Sequence, residues 1–151
     1  APMVLTLQVL PDMLKRNRGH ICNIASAGGM LGNPKMSVYG ASKWAVIGWS
    51  ESMRIELQQR KANVHVTTVA PYFISTGMFK GVRSIFPILK PEPTAKKIIR
   101  AIERNTIFAG IPFGYHFIRF WQAILPLRVF DWLFGTVFGI YRTMDHFTGR
   151  K

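Results

Sequence analysis

The sequence has one cysteine, few acids, no metal-ligand spacing and no long uncharged apolar run, and each shortage excludes something. Cys22 has no partner for an internal disulfide; set in an apolar run, it reads as a small buried hydrophobe, and no oxidising compartment is required. His20, His65, His116 and His146 lack the spacing of a zinc site, so no metal is expected. The most apolar stretch is interrupted by Arg119, Arg128 and Asp131 together with Pro126, so no run reaches the roughly 18 uncharged residues of a spanning helix. Neither a charged leader nor a small-residue cleavage site opens the chain at Ala1, and it reads as starting inside a folded unit, a fragment of something longer. There is no internal repeat and no low-complexity segment.

What is present is basic and hydrophobic. Against 7 Asp and Glu stand 20 Lys and Arg, giving +13 over 151 residues, while 48% of the chain is hydrophobic. Such a charge attracts polyanions and anionic membrane surfaces alike. The cations fall in small groups, Lys15/Arg16/Arg18, Lys96/Lys97/Arg100/Arg104 and Arg150/Lys151, which suits a membrane-adjacent protein better than a nucleic-acid arm. No zinc, helix-turn-helix or RNA-recognition signature accompanies them, and no nucleic-acid partner is expected.

Along the chain, residues 3–16 read as a helix with Val4, Leu7, Leu10 and Leu14 on one face, stopped at Asn17-Arg18-Gly19. His20 to Ala25 reads as a short buried strand, and Ser26 to Ser37 as a Gly/Ser/Pro-rich loop. A long helix from Val38 to about Arg60 carries Ala41, Ala45 and Gly48 at helical spacing. Val64 to Val69 is β-branched and reads as a second strand, ended by Pro71. Thr94 to Asn105 follows as a helix, opened by Pro91 and Pro93, and Thr106 to Ala109 as a third strand. This alternation describes an α/β fold with parallel strands covered by helices.

One constellation carries chemistry: a strand ending at Ser26, then Tyr39 and Lys43 four residues apart on the next helix, then a strand ending in proline. The i,i+4 pair shares a helix face, so phenol and ammonium can converge, and the strand end brings Ser26 to the edge where open α/β sheets bind ligands. A cation beside a phenol favours the phenolate, which lets a tyrosine exchange a proton with an alcohol or carbonyl. The Ser26 hydroxyl would hold the substrate oxygen.

Asn23-Ile24-Ala25-Ser26, Tyr39-Gly40-Ala41-Ser42-Lys43 and Val69-Ala70-Pro71 through Thr76 resemble the strand-Ser, Tyr-x-x-x-Lys and proline-to-threonine motifs of short-chain dehydrogenases/reductases. The resemblance runs from the first helix to about Ile107. It implies a partial Rossmann-type, doubly wound parallel sheet, of which residues 1–109 supply only the C-terminal strands and helices. Residues 110–151 follow as an aromatic-rich, basic helical tail associated with membrane. It further implies catalysis by Ser26, Tyr39 and Lys43, and cofactor contacts from Tyr39, Lys43, Pro71, Ile74 and Thr76. The cofactor would be NAD, with NADP not excluded. The family's Gly after the proline is Tyr72 here, and its Gly-rich pyrophosphate turn, Asn-Asn-Ala-Gly strand and tetrad asparagine would all precede Ala1.

Gly19-His20-Ile21, Leu10-Pro11-Asp12-Met13 and Pro71-Tyr72-Phe73-Ile74-Ser75-Thr76-Gly77-Met78 are similar to the membrane branch of retinol and 17β-hydroxysteroid dehydrogenases, epidermal retinol dehydrogenases above all. That implies an apolar alcohol as substrate, retinol or a hydroxysteroid, at the endoplasmic reticulum or lipid droplet, facing the cytosol. It also implies a homodimer through the helices at 3–16 and 38–60. Phe79, Ile85, Phe86, Ile88 and Leu89 are placed to form a lid. The aromatic residues of 111–141 read either as an interfacial membrane surface or simply as core. The rival reading keeps the ancestry without the activity: a truncated, inactive pseudoenzyme that associates with membrane or with an intact relative.

Overall fold

The computed structural model describes residues 1–149; Arg150 and Lys151, one of the basic groups, lie outside the described residues. Three parallel strands, β1 (Gly19–Ile24), β2 (Val64–Pro71) and β3 (Phe108–Ile111), form one sheet in that order. β1 pairs with β2 from Gly19 opposite Val64 to Ile24 opposite Val69, and β2 with β3 from Thr68 opposite Phe108 to Pro71 opposite Ile111. Helix α1 (Pro2–Lys15) precedes β1, α2 (Ser37–Gln59) connects β1 to β2, and α3 (Pro91–Glu103) connects β2 to β3. This is the α/β, Rossmann-type arrangement that the alternation of elements implies. β2 is bonded on both edges and buried at every position but His65, which is why it tolerates a continuous apolar and β-branched run.

The largest boundary shifts from the sequence reading are at α3 and β3. α3 starts at Pro91 rather than Thr94, because proline in a first helical turn forfeits only an N–H that has no intrahelical partner. β3 lies two residues later than expected, since Thr106 closes the preceding turn by donating its N–H to the Ala101 carbonyl and the ladder to β2 begins at Phe108. The apolar face assigned to α1 is only partly covered. Leu10, Met13 and Leu14 pack onto a cluster of Ile21, Met53, Leu57, Val64 and Val66, but Val4 and Leu7 remain 60% and 71% exposed. On α2 the buried stripe is Ile47, Ser50, Met53 and Leu57, so Ala41, Ala45 and Gly48 face away from the chain's own core.

The chain after β3 is helical but broken into short pieces. A 3-10 turn at Phe113–Phe117 runs into α4 (Ile118–Ile124); Pro126 separates that from α5 (Leu127–Phe130) and a π-helical turn at Asp131–Val137. Gly139, at φ +67°, admits the left-handed step that ends this run. The segment lies against the carboxyl ends of the strands. Tyr115, Ile118, Phe130, Ile140 and Met144 join Ala25, Met30, Leu31, Met36, Ile47, Ala70, Tyr72 and Phe73 in a second cluster. At about 1.5–3 kcal/mol for each large apolar side chain buried, these five residues contribute heavily to that end of the fold. The other side is apolar and uncovered: Phe113, Phe120, Leu127 and Trp132 are 71%, 54%, 74% and 61% exposed. Core and exposed surface are therefore both present in 111–141. No helix is long and apolar enough to cross a membrane among the described residues.

Candidate active site

Beyond the carboxyl ends of β1 and β2 lies a cleft of about 240 Å³, the place where an open parallel sheet leaves room for a ligand. Ser26, Tyr39, Lys43, Pro71, Ile74 and Thr76, singled out in the sequence, all line it. Ser26 follows β1 in extended conformation and caps the turn Ala27–Gly29, its Oγ accepting the Gly28 N–H at 3.1 Å. That contact occupies an acceptor site of the hydroxyl and leaves its hydrogen for another partner. The loop can lie this close to α2 because residue 29 is glycine: a Cβ there would come within 2.7 Å of the Lys43 carbonyl.

Gly28 stands between Ser26 and the phenol; a Cβ built on it would be 3.4 Å from Tyr39 Cε1 and 3.6 Å from Ser26 Oγ. Tyr39 is half-buried, its ring held edge-on by Phe79 at 5.7 Å between centroids. One turn along α2, the Lys43 ammonium lies 5.7 Å from the centre of the Tyr39 ring and donates to the Ile24 carbonyl at 3.1 Å. Burial pushes its pKa below that of an ordinary lysine. Pro71 is buried at the end of β2, Ile74 is half-buried and bridges to Leu89, and Thr76 is exposed at the rim.

The remaining lining includes Leu31, Asn33, Met36, Tyr72, Phe73, Met78, Phe79, Tyr115 and Ile140. Tyr72, in place of the small residue expected there, belongs to an aromatic back wall: its ring lies 4.7 Å from Phe73 and 5.2 Å from Tyr115, and its hydroxyl is 2.6 Å from Ser84 Oγ. Burial raises the pKa of both Tyr72 and Tyr115, so these phenols stay neutral. Of the lid residues only Phe79 reaches the cleft; Phe86 and Leu89 pack on the core, and Ile85 and Ile88 are 65% and 43% exposed. Asn33, Met36, Tyr115 and Ile140 were missed in the sequence. No local periodicity marks them, and for Tyr115 and Ile140 only the folding back of the C-terminal segment brings them here.

Away from the cleft, Cys22 is half-buried and burial raises its thiol pKa, which suits packing more than nucleophilic chemistry. The Lys96 side of α3 is a solvated face, with Lys96 paired to Glu92 at 2.8 Å.

Residues 1–85 match the family model of short chain dehydrogenases. The chain is 38% identical over 147 residues to epidermal retinol dehydrogenase 2 of Mus musculus, an alignment covering 94% of this chain and 47% of that protein. It is 35% identical over 130 residues to retinol dehydrogenase 10 of Homo sapiens, covering 82% and 38%. It thus spans about half the length, or less, of the curated relatives it matches, and the likeness to the first extends past Ile107 into the aromatic segment. Among solved structures it resembles a short chain dehydrogenase from Burkholderia cenocepacia J2315 in complex with NADP, with a TM-score of 0.67 at 24% identity, covering 81% of this chain and 50% of that one.

Proposed function

We propose, for a chain that belongs to the short-chain dehydrogenase family, an oxidoreductase site that acts on the CH–OH group of an apolar alcohol, with Tyr39 as its acid and base. The observation that carries this reading is the presence of Ser26, Tyr39 and Lys43 around one cleft whose other walls are apolar and aromatic. Ser26, with Oγ accepting from Gly28, keeps its O–H to hold the substrate oxygen. Once its own proton has passed to solvent, the Tyr39 phenolate takes the alcohol proton and becomes a neutral phenol; before that transfer Lys43 stabilises the phenolate charge in a partly desolvated setting.

The residues present fit the nicotinamide-ribose end of a dinucleotide. Lys43 uses one ammonium hydrogen on Ile24, which leaves two for ribose hydroxyls, and Pro71, Ile74 and Thr76 line the same cleft. A nicotinamide cofactor, NAD or NADP, supplies the hydride acceptor when bound. Retinol, oxidised to retinal, is the substrate we favour over a hydroxysteroid, on the names of the relatives and the apolar lining.

Two surfaces fit further parts of this reading. The uncovered Val4 and Leu7 of α1, with the small-residue side of α2, suit a second copy of the chain. The exposed Phe113, Phe120, Leu127 and Trp132, among Arg119 and Arg128, suit a lipid headgroup layer, so residues 110–151 would act as a membrane-associated tail on the 1–109 half-domain. The compartment follows from the same resemblance: endoplasmic reticulum or lipid droplet, facing the cytosol. Sedimentation as a monomer, with no retention on anionic vesicles, would remove both surfaces from the reading.

The 151 residues on their own carry no Gly-rich pyrophosphate turn and are expected to show only background turnover; a normal rate would contradict that. The decisive test of the main reading is Tyr39→Phe in the natural full-length product, assayed with retinol and NAD. We expect a loss of about 10²–10⁴-fold in kcat with the thermal midpoint little changed; unchanged oxidation would take Tyr39 out of the mechanism.

A further inference from the structure

The two walls of the cleft are tied together by one buried residue from far along the chain. One wall is the loop of residues 26–36, which carries Ser26; the other is the segment of residues 72–84 that follows β2. Thr143 is 2% exposed and bonds to both. Its Oγ1 accepts from Asn33 Nδ2 at 2.9 Å and donates to the Ile140 carbonyl at 2.8 Å, and its own carbonyl accepts from the Arg83 N–H at 3.1 Å. The hydroxyl has a single hydrogen, committed to Ile140, so Asn33 must present its amide N–H here. The Asn33 Oδ1 atom is left buried with no partner among the described residues. Among the described residues the Asn33 side chain is therefore hydrogen-bonded through Thr143, while its backbone carbonyl accepts from the Met36 N–H at 3.2 Å; Ile140, whose turn the same hydroxyl fixes, itself lines the cleft.

Neighbouring contacts run the same way. Gln122 Nε2 donates to the Met30 carbonyl at 2.7 Å and Lys35 pairs with Asp145 at 3.0 Å on the first wall, while the Thr148 N–H donates to the Lys80 carbonyl at 3.0 Å on the second. We propose that Thr143 is a positioning residue, a clasp that sets the separation of the two walls and with it the width of the substrate cleft. This rests on the oxidoreductase reading of the cleft. Threonine suits the position because its methyl packs like that of valine while its hydroxyl makes two directional bonds that hydrophobic packing alone cannot replace.

The test uses the natural full-length product in four forms besides wild type: Thr143→Val, Thr143→Ser, Asn33→Ala and the Val/Ala double variant. Each is assayed with retinol and with a slender linear primary alcohol, and amide hydrogen exchange is followed at residues 27–36 and 80–84 and in β1 and β2. We expect Thr143→Val to raise KM for retinol about tenfold more than for the linear alcohol, since a misplaced wall penalises the bulkier ligand. kcat should move less. Thr143→Ser should restore both to within about twofold, Asn33→Ala should reproduce the Val phenotype, and the double variant should add little to either. Exchange should quicken at residues 27–36 and not at Ile21 or Val66; residues 80–84, held through the Thr143 carbonyl that valine keeps, should change less. The proposal is overturned if Thr143→Val is indistinguishable from wild type, if Thr143→Ser is as impaired as Val, or if the two single effects add. Should wild type oxidise neither alcohol, the oxidoreductase reading fails. The clasp then stands or falls on exchange: faster exchange at residues 27–36 of Thr143→Val supports it, and no change there overturns it.

Discussion

At the amino ends of the strands, Ile21, Met53, Leu57, Val64 and Val66 meet in a cluster supplied by one β-α-β unit and the end of α1. At the carboxyl ends the cluster reaches from Ala25 to Met144 and depends on a C-terminal segment with no strand beyond β3 among the described residues. The first end is local in sequence and holds the sheet together. The second closes only when distant chain folds back, and it is the end that holds the cleft. The compact β-α-β cluster and the cleft thus lie at opposite ends of the strands, and it is at the carboxyl ends that open α/β sheets bind ligands.

Matched substitutions test that contrast. Ile21 and Ile140 are 7% and 6% exposed, one in each cluster. Truncating either to alanine should cost about 2–5 kcal/mol by denaturant unfolding, the usual range for deleting a buried isoleucine. Only Ile140→Ala should also weaken binding of retinol, the substrate proposed above, because of the two only Ile140 lines the cleft. Equal loss of binding in both variants would mean that the two ends are not separable.

A smaller effect is expected from the polar link between β1 and α2. Ser50, fully buried, accepts from Asn23 Nδ2 at 2.9 Å and donates to the Val46 carbonyl at 2.6 Å. Ser50→Ala strands the Asn23 amide and should cost about 1–3 kcal/mol, with the cleft untouched. A neutral result would show that a water or a shift of Asn23 replaces the bond.

Smallest is a pH effect at the cleft end. Burial first, then its hydrogen bond to Asp131 at 2.7 Å, pushes the Tyr141 phenol up to about 12. Its folded pKa exceeds the unfolded value near 10. The stabilisation from the neutral phenol is therefore complete below pH 10 and is lost as pH rises through 12. Tyr141→Phe should remove that part of the alkaline decline. An identical alkaline limb in wild type and variant would show that the Asp131 contact contributes nothing to stability.

Much of the cleft was legible because its parts are local. Ser26, Tyr39 and Lys43 are placed by a strand end and one helical turn, so spacing was enough to bring them to one edge, whereas Pro71, Ile74 and Thr76 stood out through the resemblance to the short-chain dehydrogenase motif and the end of the next strand carries them there. The lid was less legible. Ile85 and Ile88 look like Phe79 in composition, yet only the path of residues 72–90 decides which of them points inward. Asn33 and Thr143 were invisible for a plainer reason: a hydrogen bond across 110 residues leaves no pattern in either stretch of sequence.

By itself the sequence determined the alternation of helix and strand, the family, and the residues that a helix repeat or a strand end carries to the sheet edge. These follow from backbone geometry acting over a few residues at a time. Tertiary structure alone decided which aromatic residues of 111–141 became core and which stayed exposed. It also decided that this segment would finish the cleft it lies so far from in sequence, because burial is a property of what covers a side chain, and the covering comes from the other end of the chain.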